Sequence, residues 1–218
     1  MEENFLEIGI EKEFFLLRKG HFPNLYDRIV EPREYEFPAD AFGFLVELRS
    51  EPWMHLNTVK MTWDVTKSYW EHRADKFGME LVDMPYLVVP KGKAKYFYDK
   101  YGAGRSADLT KNIYETKGSH HLGMFFDGDT CRLTAGMHVH FSMRDHKCNV
   151  IPFRSEQIHE IVKTMDDAFE KEISDSDRII GEYEIKQHGF EYRSAPCNVD
   201  VYKTLKVAFD VLRRICGK

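Results

Sequence analysis

Residues 9 to 15 read Gly-Ile-Glu-Lys-Glu-Phe-Phe, and two carboxylates two positions apart are the first sign of chemistry in the chain. In an extended strand alternate side chains share a face, so Glu11 and Glu13 point one way while Ile8, Ile10, Phe14 and Leu16 point the other. The same grammar returns three times. Glu47, Arg49 and Glu51 alternate with Val46 and Leu48; Gly136, His138, His140 and Ser142 alternate with Met137, Val139, Phe141 and Met143; Glu191 and Arg193 alternate with Phe190 and Tyr192. One such strand is an ordinary solvated sheet face. Four of them, all carrying acids, imidazoles or guanidinium groups, point to a shared site.

If the four strands lie in one sheet, at least four carboxylates meet on one surface, and that many acids repel strongly unless cations join them. Bound metal is the expected resolution. Alternate residues on a strand sit about 6.7 Å apart, so neighbouring carboxylates can reach a pair of ions separated by about 3.5–4 Å. Oxygen-rich ligation with no cysteine in the set favours Mg²⁺ or Mn²⁺ over zinc. The arginine forks match phosphate or carboxylate oxygens, and metal with arginine describes a clamp for a transferring phosphoryl group.

The elements that must hold these residues follow from periodicity. From His55 to Phe77, Leu56, Val59, Trp63, Trp70 and Phe77 recur at roughly helical spacing, and Gly78 is a C-terminal stop. Ser155 is placed to cap a second helix, buried through Ile158, Ile161, Val162, Met165, Ala168 and Phe169. Asn198 is placed to cap a third, with Tyr202, Leu205, Phe209, Leu212 and Ile215 as its stripe and Gly217 as its end. Met79 to Val89 has strand character. Arg18 to Pro38 is polar, broken by three prolines, and reads as a hairpin or flap. Lys91 to Tyr101 reads either as a surface loop with packed tyrosines or as a basic patch for phosphate or a base. Gly102-Ala-Gly-Arg105 lacks the spacing of a phosphate loop, and residues 106 to 117 fit a short helix. Ser119-His120-His121 leads into the next strand. The whole reads as α+β: a mainly antiparallel sheet forming a cleft, with three long helices packed on its opposite face.

The chain has 218 residues, 43% of them hydrophobic, enough for one sizeable core and short for two, so residues 1–218 are expected to form a single domain. A net charge of -5 offers no basic balance for nucleic acid or an anionic membrane. The N-terminal residues lack the pattern of a signal peptide and no apolar run approaches 18 residues, which predicts a cytoplasmic protein with no membrane partner. Cys131, Cys148, Cys197 and Cys216 form no Cys-x-x-Cys pair and are read as free thiols.

Taken in order, Gly-Ile-Glu-Lys-Glu-Phe, Val-Glu-Leu-Arg-Ser, Ala-Gly-Met-His-Val-His-Phe-Ser and Gly-Phe-Glu-Tyr-Arg-Ser-Ala-Pro resemble the carboxylate-amine ligases of the glutamine synthetase and glutamate-cysteine ligase superfamily. Within it the chain most resembles the compact phage-type COOH-NH2 ligases and related amidoligases, over about residues 5 to 200. The resemblance implies a glutamine synthetase-like catalytic sheet, with ATP at one end of the cleft and an amino-acid or peptide carboxylate at the other. It implies that Glu11, Glu13, Glu47 and Glu191 bind Mg²⁺ or Mn²⁺, that His138 or His140 ligates metal or touches phosphate, and that Arg193, Arg49 and Arg178 bind phosphate or the substrate carboxylate. Glu11, Glu47 and Arg193 would be central to catalysis. The implied reaction makes an amide or isopeptide bond: the carboxylate attacks the γ-phosphate of ATP, and an amine displaces phosphate from the acyl phosphate. Related enzymes often form homo-oligomers. Other readings of the same residues are a phosphotransferase of the phosphagen-kinase type, a non-catalytic nucleotide or amino-acid binding protein, and a metal-dependent hydrolase. In the resemblance the chain is short, Lys12 falls on the core-facing side, and no base for the amine is evident.

Overall fold

A computed structural model of the chain describes residues 4–40, 43–101, 110–114 and 124–216. The glycine stretch at 102–105, the segment at 119–121 and the helix stop expected at 217 fall outside them. Strand β1 (Phe5–Arg18) is the spine. Along one edge it pairs antiparallel with β2 (Leu45–Arg49), and along the other with β8 (Met137–Arg144) and then β3 (Met79–Val82). Beyond β8 lie β10 (Gly189–Tyr192), β9 (Glu182–Lys186) and β5 (Thr110–Asn112), all antiparallel. The order is β2-β1-β8-β10-β9-β5, with β3 beside β1.

The apolar alternation of each strand is buried on one face under three helices, α1 (Leu56–Lys76), α3 (Ser155–Ser174) and α4 (Val201–Cys216). Ile8, Ile10, Phe14 and Leu16 meet Val59, Trp63, Met165, Phe169, Phe209 and Leu212 there, and Trp63 stacks on Phe14 with ring centroids 6.2 Å apart. Lys12 shares that face and is 4% exposed; its Nζ reaches Asp83 Oδ2 at 2.7 Å, so the charge is paired. Gly78, at φ 67°, closes α1 as expected.

Several expectations are corrected. Residues 79–89 divide between two sheets, because β4 (Tyr86–Pro90) joins β7 (Thr130–Thr134) and β6 (Met124–Asp127) in a second, three-stranded antiparallel sheet. Lys91–Tyr101 is a fourth helix, α2, not a loop: Ala94 and Phe97, three residues apart, bury against Leu87, Val89, Cys131 and Leu133. Within the span read as a short helix, Thr110–Asn112 is the edge strand β5, held by pairing to β9. Arg18 to Pro38 holds two short 3-10 turns, Leu25–Arg28 and Pro32–Tyr35. Ser155 is the first residue of α3 rather than its cap; Arg154 caps it, its N–H donating to Gln157 Oε1 at 3.0 Å. For α4 the capping side chain is Asp200, whose Oδ1 accepts the Lys203 N–H at 2.7 Å, in place of Asn198.

Phe15 and Leu17 continue the alternation of Glu11 and Glu13 on β1 yet belong to the second core, with Phe44, Leu45 and Phe97. The polar face of the large sheet therefore ends where the small sheet and α2 cover it. No described helix is long and apolar enough to cross a membrane.

Candidate functional site

Register brings the polar alternations together. Glu11 stands opposite Arg49 on one side and His138 on the other; Glu13 stands opposite Glu47; His140 stands opposite Gly9 and Glu191; Glu191 stands opposite Glu184. Directly opposed side chains on one sheet face lie about 4.5–5.5 Å apart at Cβ, within reach of hydrogen bonds. The four strands singled out by their spacing do share one sheet and one face.

The three side chains at the centre of that face are buried, while Arg49 beside them reaches solvent. Glu11 is 5%, Glu191 1% and His138 1% exposed. His138 Nδ1 lies 3.0 Å from Glu11 Oε1 and 3.0 Å from Glu191 Oε1, so one ring nitrogen bridges the two carboxylates. Arg49 Nε reaches Glu11 Oε2 at 2.7 Å, and its Nη2 pairs with Glu47. Arg193 Nη1 donates to Glu191 Oε1 at 2.5 Å and faces Glu184 Oε2 at 3.3 Å. Lys186 Nζ bridges Glu184 Oε1 and Glu191 Oε2, both at 2.8 Å. Glu13 Oε2 accepts the Gly136 N–H at 2.6 Å.

Charge follows from these contacts. Burial works to raise the Glu11 carboxyl, but hydrogen bonds with His138 and His140 and the charges of His138 and Arg49 outweigh it and hold it well below the usual range. Glu191 is depressed in the same way, against burial, by His138 and Arg193. Burial and Arg193 oppose protonation of His138, yet Glu191 and Glu11 prevail and push it up to about 9. Glu47 goes the other way: burial and the charges of Glu11 and Glu13 raise it to about 8 despite Arg49. Near neutrality the ionised carboxylates of Glu11 and Glu191 thus face Arg49, Arg193, Lys186 and the His138 imidazolium. The chain supplies much of the positive charge that the acids require, so repulsion by itself does not demand a metal.

Geometry still leaves room for one. An oxygen each of Glu11 and Glu191 and a ring nitrogen of His140 lie within 4.8 Å of one another, a span that suits donors around a divalent cation at bond lengths of about 2.0–2.2 Å. In this group His140, not His138, offers the nitrogen. Glu13 and Glu47 lie beside it, on the adjoining cross-strand row. Two carboxylates and an imidazole fit Mn²⁺ and, through the oxygens, Mg²⁺. The Nε2 of His138 is buried with no hydrogen-bond partner, the kind of group that a ligand or water would satisfy.

Arg178 stands at the rim of the cluster. Its guanidinium lies where a Cβ on residue 136 would sit, 2.8 Å away, and its Nη2 donates to the Arg193 carbonyl, so its contacts brace the backbone. Lys95 pairs with Asp99 on the exposed side of α2.

Glu184, Lys186 and His188 were not anticipated. His188 Nε2 lies 3.3 Å from His140 Nδ1, at the turn between β9 and β10. The signal was present: Glu182, Glu184 and Lys186 alternate with Tyr183 and Ile185, and Gln187-His188-Gly189 is a tight turn. Gly189 has φ 149°, and a Cβ there would come 2.0 Å from the Phe141 carbonyl oxygen of β8. That close approach draws β10 onto β8 and sets Glu191 beside His138. No protein-family model matches the chain, and no curated protein matches it.

Proposed function

We propose that this chain is an ATP-dependent carboxylate-amine ligase with a glutamine synthetase-like catalytic sheet, similar to the phage-type COOH-NH2 ligases. The observation that supports it is the convergence of Glu11, Glu47, Arg49, His138, His140, Glu191 and Arg193, from four strands, on one sheet face. Glu11, His140 and Glu191 would hold Mg²⁺ or Mn²⁺, with Glu13 and Glu47 as neighbouring acids. When bound, the cation with ATP supplies a charge-neutralised phosphoryl donor.

The chain's own residues then have distinct tasks. His138 fixes the carboxylates of Glu11 and Glu191 against each other. Arg193, anchored on Glu191 and Glu184, keeps a guanidinium at the cluster. The Arg49 side chain is 65% exposed, free to exchange its carboxylate contacts for the oxygens of a phosphate or a substrate carboxylate. The substrate carboxylate attacks the γ-phosphate, the bond to the β-phosphate breaks and ADP leaves while guanidinium groups stabilise the charge that develops, and an amine then displaces inorganic phosphate from the acyl phosphate, giving up a proton, to leave an amide or isopeptide.

Calorimetric titration of ATP, with and without Mg²⁺, tests the reading on the wild type, Glu11→Ala and Arg193→Ala. Metal-dependent binding that is lost in both variants is expected, followed by ADP release in a screen of carboxylates and amines. Absence of ATP binding under every condition overturns it.

A further inference from the structure

Helix α1 runs for 21 residues, about 30 Å at 1.5 Å per residue, and buries Val59, Trp63 and Ala74 against the large sheet. Its opposite side is unusual. Met61, Val65 and Tyr69 are 60%, 66% and 58% exposed, the three most exposed large apolar side chains among the described residues. Four-residue spacing sets them in one stripe along the helix. Thr58, Thr62 and Ser68 fill in around them, so the middle of this face carries no charge. Contiguous apolar surface of this kind marks a contact site.

Charge is displaced to one edge of the stripe, where Lys60 pairs with Asp64 and Lys67 with Glu71. Read along the helix that edge is basic, acidic, basic, acidic. Reversed, it is its own complement. A two-fold axis through Val65 sets Met61 of one copy against Tyr69 of the other. It also brings Lys60 level with the second copy's Glu71, and Asp64 level with its Lys67, each within about 1.5 Å along the axis. A parallel two-fold arrangement would carry the two charged edges to opposite sides of the contact, where they could not pair. An anionic membrane gains nothing from an edge with equal numbers of acids and bases.

We propose that the outward face of α1 is the contact by which two copies of this chain associate, with their α1 helices antiparallel about a two-fold axis at Val65. The surface lies on the helical side of the large sheet, away from the acidic cluster, so pairing leaves that cluster open and is independent of any reaction there.

Sedimentation equilibrium of the full chain across the micromolar range tests this. A dimer is expected for the wild type, and Val65→Glu should raise the dissociation constant at least about tenfold while leaving circular dichroism unchanged, and melting unchanged at concentrations where the wild type is itself monomeric, since the position is exposed. Two charge variants examine the register. Lys60→Glu/Lys67→Glu and Asp64→Lys/Glu71→Lys should each dimerise more weakly alone and form a heterodimer when mixed. A wild type that stays monomeric overturns the proposal. So does a dimer that Val65→Glu leaves intact, and mixed charge variants that show no gain overturn the antiparallel register.

Discussion

Glu191 and Asp166 are both buried carboxylates held at β10, one on each face of the strand, and they are driven in opposite directions. Glu191 projects among His138, Arg193 and Lys186, while Asp166, from α3, accepts hydrogen bonds from the Tyr192 hydroxyl at 3.0 Å and the Gly181 N–H at 2.9 Å. Burial raises both. At Glu191 cationic neighbours overcome it and the acid stays ionised; at Asp166 only uncharged donors, on Tyr192, Ser194 and Gly181, oppose burial, the charge of Asp167 adds to it, and the carboxyl is pushed up to about 6. Adjacent residues of one strand, Glu191 and Tyr192, thus belong to two electrostatic worlds. A polar face of this kind is made by its countercharges, and depth alone would have produced a neutral acid.

The contrast can be broken most severely at Glu191. Glu191→Ala leaves Arg193 and Lys186 to share Glu184 and His138 to rely on Glu11, removing the shared acid at the centre of three buried or half-buried cations, and should cost about 3–5 kcal/mol in urea unfolding. A loss under about 1 kcal/mol would mean that the cluster is not coupled.

The next largest effect is a pH dependence. The Asp166 carboxyl ionises near 3.8 when unfolded and near 6 when folded, so the unfolded state gives up its proton first as pH rises. Its contribution to stability is fully present below about 3.8 and lost as pH rises through about 6, a change of about 3 kcal/mol at 1.36 kcal/mol per unit. Denaturation of wild type and Asp166→Asn over that window should show the steeper decline in the wild type, because the decline that Glu47 contributes, with its carboxyl raised to about 8, is common to both. Equal slopes would put the neutral side of the comparison in error. Glu11 and Glu191, with depressed carboxyls, act oppositely and lose stability as pH falls, in both proteins alike.

Two smaller changes sharpen the picture. Tyr192→Phe removes the hydroxyl that Asp166 accepts from and should cost about 1–2 kcal/mol, read as a lower melting temperature. Lys186→Met, at a side chain 28% exposed, should cost at most about 1 kcal/mol, because Arg193 and His138 still face Glu191. A larger loss at Lys186 than at Tyr192 would reverse the ranking of the two faces.

Period-two alternation made the four site strands legible, since residue type and face are coupled wherever one side of a sheet is buried. Asp166 could have been found the same way: it is four residues after Val162 and three before Phe169, squarely on the buried stripe of α3. Partner identity was harder to see. Glu184 and Lys186 join the site only because β9 folds back on β10, and β5 is a strand only because β9 offers it an edge. Likewise Phe15 and Leu17 follow Glu13 in the same alternation, and nothing local says that a second sheet will cover them. Local spacing gives faces, and long-range pairing decides what each face meets.

Gly189 carries a consequence for how this sequence can vary. With a φ of 149° and β8 backbone where a side chain would begin, the position has no tolerated neighbour in sequence space, alanine included. A saturation library at residue 189, sorted for folded protein, should return glycine almost alone. The adjoining His188, half-buried at the turn, should accept a wider set.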